Sequence, residues 1–171
     1  MTRRPDGVLG DAAVVLGCFA VAGLVAGLLW PQLVSPVEVI RTEAGLATAE
    51  VALSERFDND AWFMVLAVAF GLPLGAVLTA WRRTDEVVTV VTVVVGAALA
   101  SWMAGTVGQS VGPDDPAVVL AEAAVGATAQ GMVSVAAQGA YAVWPMAALA
   151  GALVVLWGTG RHHPADPPEH L

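Results

Sequence analysis

The sequence predicts an all-α membrane protein: a four-transmembrane-helix bundle, N-in and C-in, with a small extracytoplasmic cap that contains a β-hairpin. Three observations predict it. Four apolar runs, at 8–30, 61–81, 87–107 and 140–158, approach or exceed the ~20 residues that a helix needs to cross a ~30 Å hydrocarbon core. Apolar residues make up 57% of the chain and charged residues 13%, against ~25% charged in a soluble domain. The arginines gather on one side of the runs. We read residues 1–160 as a single membrane domain, with outer loops at 31–60 and 108–139. The tail at 161–171 is short and Pro-rich, and is expected to be disordered in the cytoplasm.

The first run opens behind Arg3 and Arg4. Pro5-Asp6-Gly7 follows where a twin-arginine signal would continue apolar, so the pair reads as a topology determinant. Cys18 sits inside this run. Val15-Leu16-Gly17-Cys18 loosely matches a lipoprotein cleavage box, but Asp11 interrupts the short run before it and the apolar run continues beyond it. Cys18 therefore reads as a small hydrophobe.

Orientation follows from charge. Arg3, Arg4, Arg82, Arg83 and Arg161 flank the runs on one side, and Arg41 and Arg56 lie on the other. Basic residues near span ends favour the cytoplasm. An even number of spans returns the chain to its starting side. Both termini and the Trp81–Glu86 turn are thus predicted to be cytoplasmic, with the two long loops outside.

The six tryptophans fit these limits. Trp30, Trp62 and Trp144 fall at outer ends, Trp81 and Trp157 at inner ends. Trp102 lies about 22 Å along the third helix from Val87, at 1.5 Å per residue. An indole has an apolar body and an N–H that needs a partner, so it prefers the headgroup level. All six read as interfacial anchors.

Within the runs the informative residues are small. Gly71 and Gly75 flank Pro73 in the second; Gly96, Ala97, Ala100, Ser101 and Gly105 line the third; Ala147 and Gly151 mark the fourth. Small residues four apart let helix backbones approach, and close van der Waals contact must hold helices together in apolar lipid. Gly71, Gly75, Gly96, Ala100 and Gly151 are read as helix-packing residues within one bundle, with self-association as the second reading. Pro73 and Pro145 each kink or begin a helix. Thr79, Thr89, Thr92 and Ser101 are polar groups that a helix satisfies on its own i−4 carbonyls. Asp11 is the one ionisable group inside a run, a turn from its cytoplasmic end, within reach of Arg82 or Arg83. Midplane ionisable residues mark proton and ion paths. Their absence from this sequence argues against a proton-coupled carrier and a membrane-embedded hydrolase.

The loops carry the remaining pattern. Val37 and Val39 alternate with Glu38; Ala47, Ala49, Val51 and Leu53 alternate with Thr48, Glu50, Ala52 and Ser54. Two such runs around Glu43-Ala44-Gly45 read as a β-hairpin. A helix is the alternative for the Ala- and Glu-rich part. Asp58 and Asp60 are read as N-terminal groups of the second helix. In the second loop, 112–116 reads as a turn or helix entry, 117–124 as a short helix or strand, and 131–136 as a strand. Strands from both loops are expected to pair into one sheet, because a lone hairpin is marginal.

Glu50, Glu55, Asp58 and Asp60 form an acidic stretch. Asp58-Asn59-Asp60 lacks the continuation of a calcium loop. The stretch therefore reads as a solvated, candidate partner-facing loop. His162, His163 and His170 lie in the tail without a scaffold for a metal. No catalytic, cofactor-binding or metal-binding residue is assigned. A net charge of −8 excludes nucleic acid as a partner. The expected partners are the lipid bilayer and a membrane protein or second copy of the chain.

Phe57-Asp58-Asn59-Asp60-Ala61-Trp62-Phe63, the Gly-rich second run ending Trp81-Arg82-Arg83, and Val143-Trp144-Pro145 give the chain a recognisable layout. It resembles small four-span actinobacterial membrane proteins catalogued as domains of unknown function. The heavy use of Ala, Val and Gly fits such a GC-rich source. The resemblance implies a cell-envelope protein of the plasma membrane and carries no catalytic residues. The expected role is a non-enzymatic accessory, scaffold or assembly component. The alternative is a small carrier or channel for a neutral or lipidic solute.

Overall fold

The computed structural model of the chain describes residues 5–35, 38–48, 52–81 and 86–160. The elements are α1 (Pro5–Leu33), β1 (Glu38–Thr42), β2 (Gly45–Thr48), α2 (Ala52–Trp81), α3 (Glu86–Val111), the one-turn α4 (Pro116–Val119), β3 (Thr128–Gln130), a 3-10 turn (Gln138–Ala142) and α5 (Val143–Gly160). Four helices, α1, α2, α3 and α5, are long and apolar enough to cross a bilayer. Each is apolar on its outward face too: Val21, Val77, Val95 and Val154 are more than half exposed. Helices that are hydrophobic all round suit a lipid solvent.

The bundle is built from two closely packed helix pairs, α1 with α3 and α2 with α5. In the first pair Phe19 lies on Gly96, Gly23 on Ala100, and Gly27 on Ala104. The separation in sequence is constant, so the helices run parallel and in register. A Cβ at Gly23 would stand 2.7 Å from the Ala100 Cα, and one at Gly96 would stand 2.7 Å from the Phe19 ring. Hydrogen in place of a side chain is what permits this approach.

The second pair is reciprocal. Gly75 lies against the Ala148 backbone, and Gly151 against the Leu72 carbonyl. Gly75, Ala76 and Trp81 recur as Gly151, Ala152 and Trp157 at identical spacing. Each glycine thus meets the residue three positions before its counterpart on the other helix. That is the pattern of an isologous contact, here between the two halves of one chain.

The two loops share a three-stranded antiparallel sheet in the order β2-β1-β3. The hairpin turns at Glu43-Ala44, and Gly45 holds φ +125°, a region that disfavours side chains. The expected pairing of the two loops is present, with altered limits. The second strand ends at Thr48, and Leu53 belongs to α2. Ala52, Leu53, Glu55 and Arg56 are good helix formers, and extending a helix that the apolar run has already nucleated costs little. The third strand is Thr128–Gln130, not 131–136. Residues 117–124 hold the short α4, whose N-cap Asp115 accepts a hydrogen bond from Ala117 N at 2.8 Å.

The helices also overrun the predicted spans. α1 continues past Trp30 through Pro31 to Leu33, and α3 continues to Val111. Pro73 lies inside α2, and Pro145 sits in the first turn of α5. Cys18 is half-buried against the core.

Candidate functional site

Trp30, Asn59, Asp60, Phe63 and Tyr141 gather at the sheet-bearing end of the bundle. Trp30 of α1 is fully buried, and its indole Nε1 donates to the Asn59 carbonyl on α2 at 3.0 Å. The Trp30 ring meets Phe63 edge-on at 5.2 Å, and Phe63 meets Tyr141 edge-on at 5.4 Å. Edge-to-face contact places the positive ring edge on the neighbour's negative face. Three elements, α1, α2 and the 3-10 turn, are thereby joined. Ser101 of α3 adds a fourth, since its Oγ donates to the Tyr141 carbonyl at 2.8 Å.

Asp60 completes this end. Its helix began at Ala52, so Asp60 is no N-cap of α2 and neither is Asp58. Asp60 is 7% exposed. Its two carboxylate oxygens accept the backbone N–H groups of Ala136 at 2.9 Å and Ala137 at 3.0 Å. Charge-assisted bonds to a carboxylate are about twice as strong as neutral ones. They satisfy two amides of a segment, 131–137, that has no regular secondary structure. That segment closes over the bundle by placing Val133, 1% exposed, beside Gly112 and within the core. α2 reaches well beyond the start of α5 at this end, and 131–137 lies against that extension.

Arg41 on β1 ties the second loop from the other side. Its guanidinium donates to the carbonyls of Leu120 and Ala121, just past α4. Carbonyls left open at a helix C-terminus commonly take such a donor.

The acidic stretch is therefore divided. Asp60 is buried and engaged, Asp58 is half-buried, Glu55 lies on the first turns of α2, and Glu50 falls outside the described residues. So do Arg82 and Arg83, the suggested partners of Asp11, and the histidine tail. Among the described residues, no group of three or more His, Cys, Asp or Glu could hold a metal ion.

The packing residues lie at helix contacts. Gly71 sits beside Trp144 and Ala147, Gly75 on Ala148, Gly96 on Phe19, Ala100 on Gly23, and Gly151 on Leu72 and Ala76. Gly23, Gly27 and Gly108 belong with them. The spacing of Gly23 and Gly27 is itself a small-residue pair in the sequence, a signal that the reading of the first run passed over.

Two tryptophans correct the anchoring scheme. Trp30 and Trp144 are fully buried, whereas Trp81, Trp102 and Trp157 are exposed as anchors would be. Trp144 stacks on Phe70 at 6.5 Å. Ser101 bonds across to Tyr141 instead of to its own helix, while Thr92 does bond to the Val88 carbonyl at 2.7 Å. Among the described residues, three buried side-chain polar atoms have no hydrogen-bond partner: Asn59 Oδ1, Thr79 Oγ1 and Trp144 Nε1.

No family model, curated protein or solved structure matches the chain.

Proposed function

We propose that this is a non-enzymatic integral membrane protein of the cell envelope, an accessory, scaffold or assembly component of the bacterial plasma membrane. Both termini face the cytoplasm, and the sheet-bearing end faces outward. The carrying observation is the closure of the two helix pairs. Backbone meets backbone at Gly23 and Ala100 and at Gly75 and Ala148, so no solute fits between the members of either pair. The outward apolar faces remain for lipid or a membrane-embedded partner. Affinity purification from native membranes, followed by mass spectrometry, tests the reading. A stoichiometric membrane-protein partner supports it. Recovery of the chain alone, together with protein-dependent solute flux, overturns it.

The second reading, a carrier for a neutral or lipidic solute, draws on Asn59 Oδ1, Thr79 Oγ1 and Trp144 Nε1. Buried polar groups without partners are costly, and a passing solute with complementary groups would satisfy them.

A further inference from the structure

The segment 131–137 is anchored at both ends and held between them by a few side-chain contacts, not by a backbone ladder. β3 pairs with β1 on one side. On the other, the 3-10 turn is held through Tyr141 by Ser101 and Phe63. Between these anchors the backbone has no helix or strand of its own. Val133 is buried in the core and Val135 packs against it half-buried, while Met132 is 46% exposed and 136–139 is exposed throughout. Regions with few buried contacts and exposed backbone open at lower free energy than helical cores. Gly131 opens the segment and Gly139 follows it near the start of the 3-10 turn, with open space around it, as suits a hinge. The closed form also keeps Asn59 Oδ1 buried without a donor beside the latching carboxylate of Asp60. A desolvated acceptor without a donor disfavours closure.

We propose that 131–137 is a lid over the aromatic end of the bundle, latched by Asp60, seated by Val133 and hinged at Gly131 and Gly139. It opens as a unit while the four long helices stay folded. Opening bares the Trp30–Phe63–Tyr141 cluster and hydrates Asn59 Oδ1. The latch is electrostatic and local: one carboxylate facing two amide protons. Asp60→Asn keeps the shape, removes the charge and turns an NH2 group toward an N–H.

Amide hydrogen exchange by mass spectrometry on the full chain in nanodiscs tests this. In the native protein the 131–137 amides should exchange together, at least tenfold faster than those in the middle of α2 and α5. Asp60→Asn should raise their rate at least a further tenfold and leave the four helices unchanged. Should Asp60→Asn not be recovered folded, Val133→Ala supplies the same test, because it unseats the lid without touching the latch. Protection of 131–137 equal to that of α5 in the native protein overturns the proposal. So does an unchanged rate in the folded variant, or a rise spread over all four helices.

Discussion

Gly75 of α2 lies directly against the backbone of Ala148 on α5, with no room for a side chain between them. Gly151 returns the contact on Leu72. Lipid tails offer helices no hydrophobic drive to associate, so this approach is what holds the pair together.

The glycines should therefore rank by what a methyl group would strike. Gly75→Ala and Gly151→Ala meet backbone carbonyls, which cannot turn aside, and should cost about 1–3 kcal/mol or more by overpacking. Gly96→Ala meets the Phe19 ring, which can shift, and should cost less. Gly17→Ala meets open space and should be neutral or stabilising by up to about 1 kcal/mol of helix propensity. Thermal unfolding in detergent gives the order. Equal effects at Gly75 and Gly17 would refute it.

The tryptophans should divide in the same assay. Trp30→Phe keeps an aromatic ring but removes the indole hydrogen bond to the Asn59 carbonyl and underfills a fully buried site, at a cost of about 1–3 kcal/mol. Trp102 is 63% exposed, and Trp102→Phe should leave the melting temperature within a degree or so of the native value. Greater loss at Trp102 than at Trp30 would contradict the burial.

The helices were legible because an apolar run of about 20 residues is a one-dimensional signal. The hairpin turn was legible because Gly45 supplies the one backbone conformation its neighbours disfavour. Azimuth was not legible. Trp30 and Trp102 both lie near span ends, yet one is core and the other faces outward. A helix that is apolar all round has no polar face from which to read direction. Asp60 departs from its expected place for a different reason. Acids before an apolar run look like caps, but α2 continues beyond the apolar zone on good helix formers, and this turns Asp60 into an internal residue facing 131–137. β3 is three residues long, too short to show a period. Its place is set by β1, whose edge it completes.

The reciprocal contacts predict that the chain can be divided. Fragments 1–83 and 84–171, co-expressed with a tag on one, should co-purify as a folded pair, because each half presents the surface that its equivalent recognises. Gly151→Leu in the second fragment should lower recovery, since it opens the α2–α5 contact while the α1–α3 pair remains. Failure of the unmodified fragments to associate in the membrane would count against the isologous arrangement.

Orientation rests on the arginine asymmetry. In a Cys18→Ser background, Ser54→Cys or Ser134→Cys should react with a membrane-impermeant thiol reagent in intact cells. Thr84→Cys should react only after lysis. Labelling of Thr84→Cys in intact cells would reverse the assignment.

The closed bundle itself is tested most directly by permeability. Purified protein in liposomes, challenged with osmotic gradients of small neutral solutes such as glycerol and urea, should swell and shrink at the rate of protein-free liposomes. Cross-linking α2 to α5 should change nothing. A protein-dependent flux that the cross-link abolishes would show that the helix pairs part, and would replace the scaffold reading with a carrier.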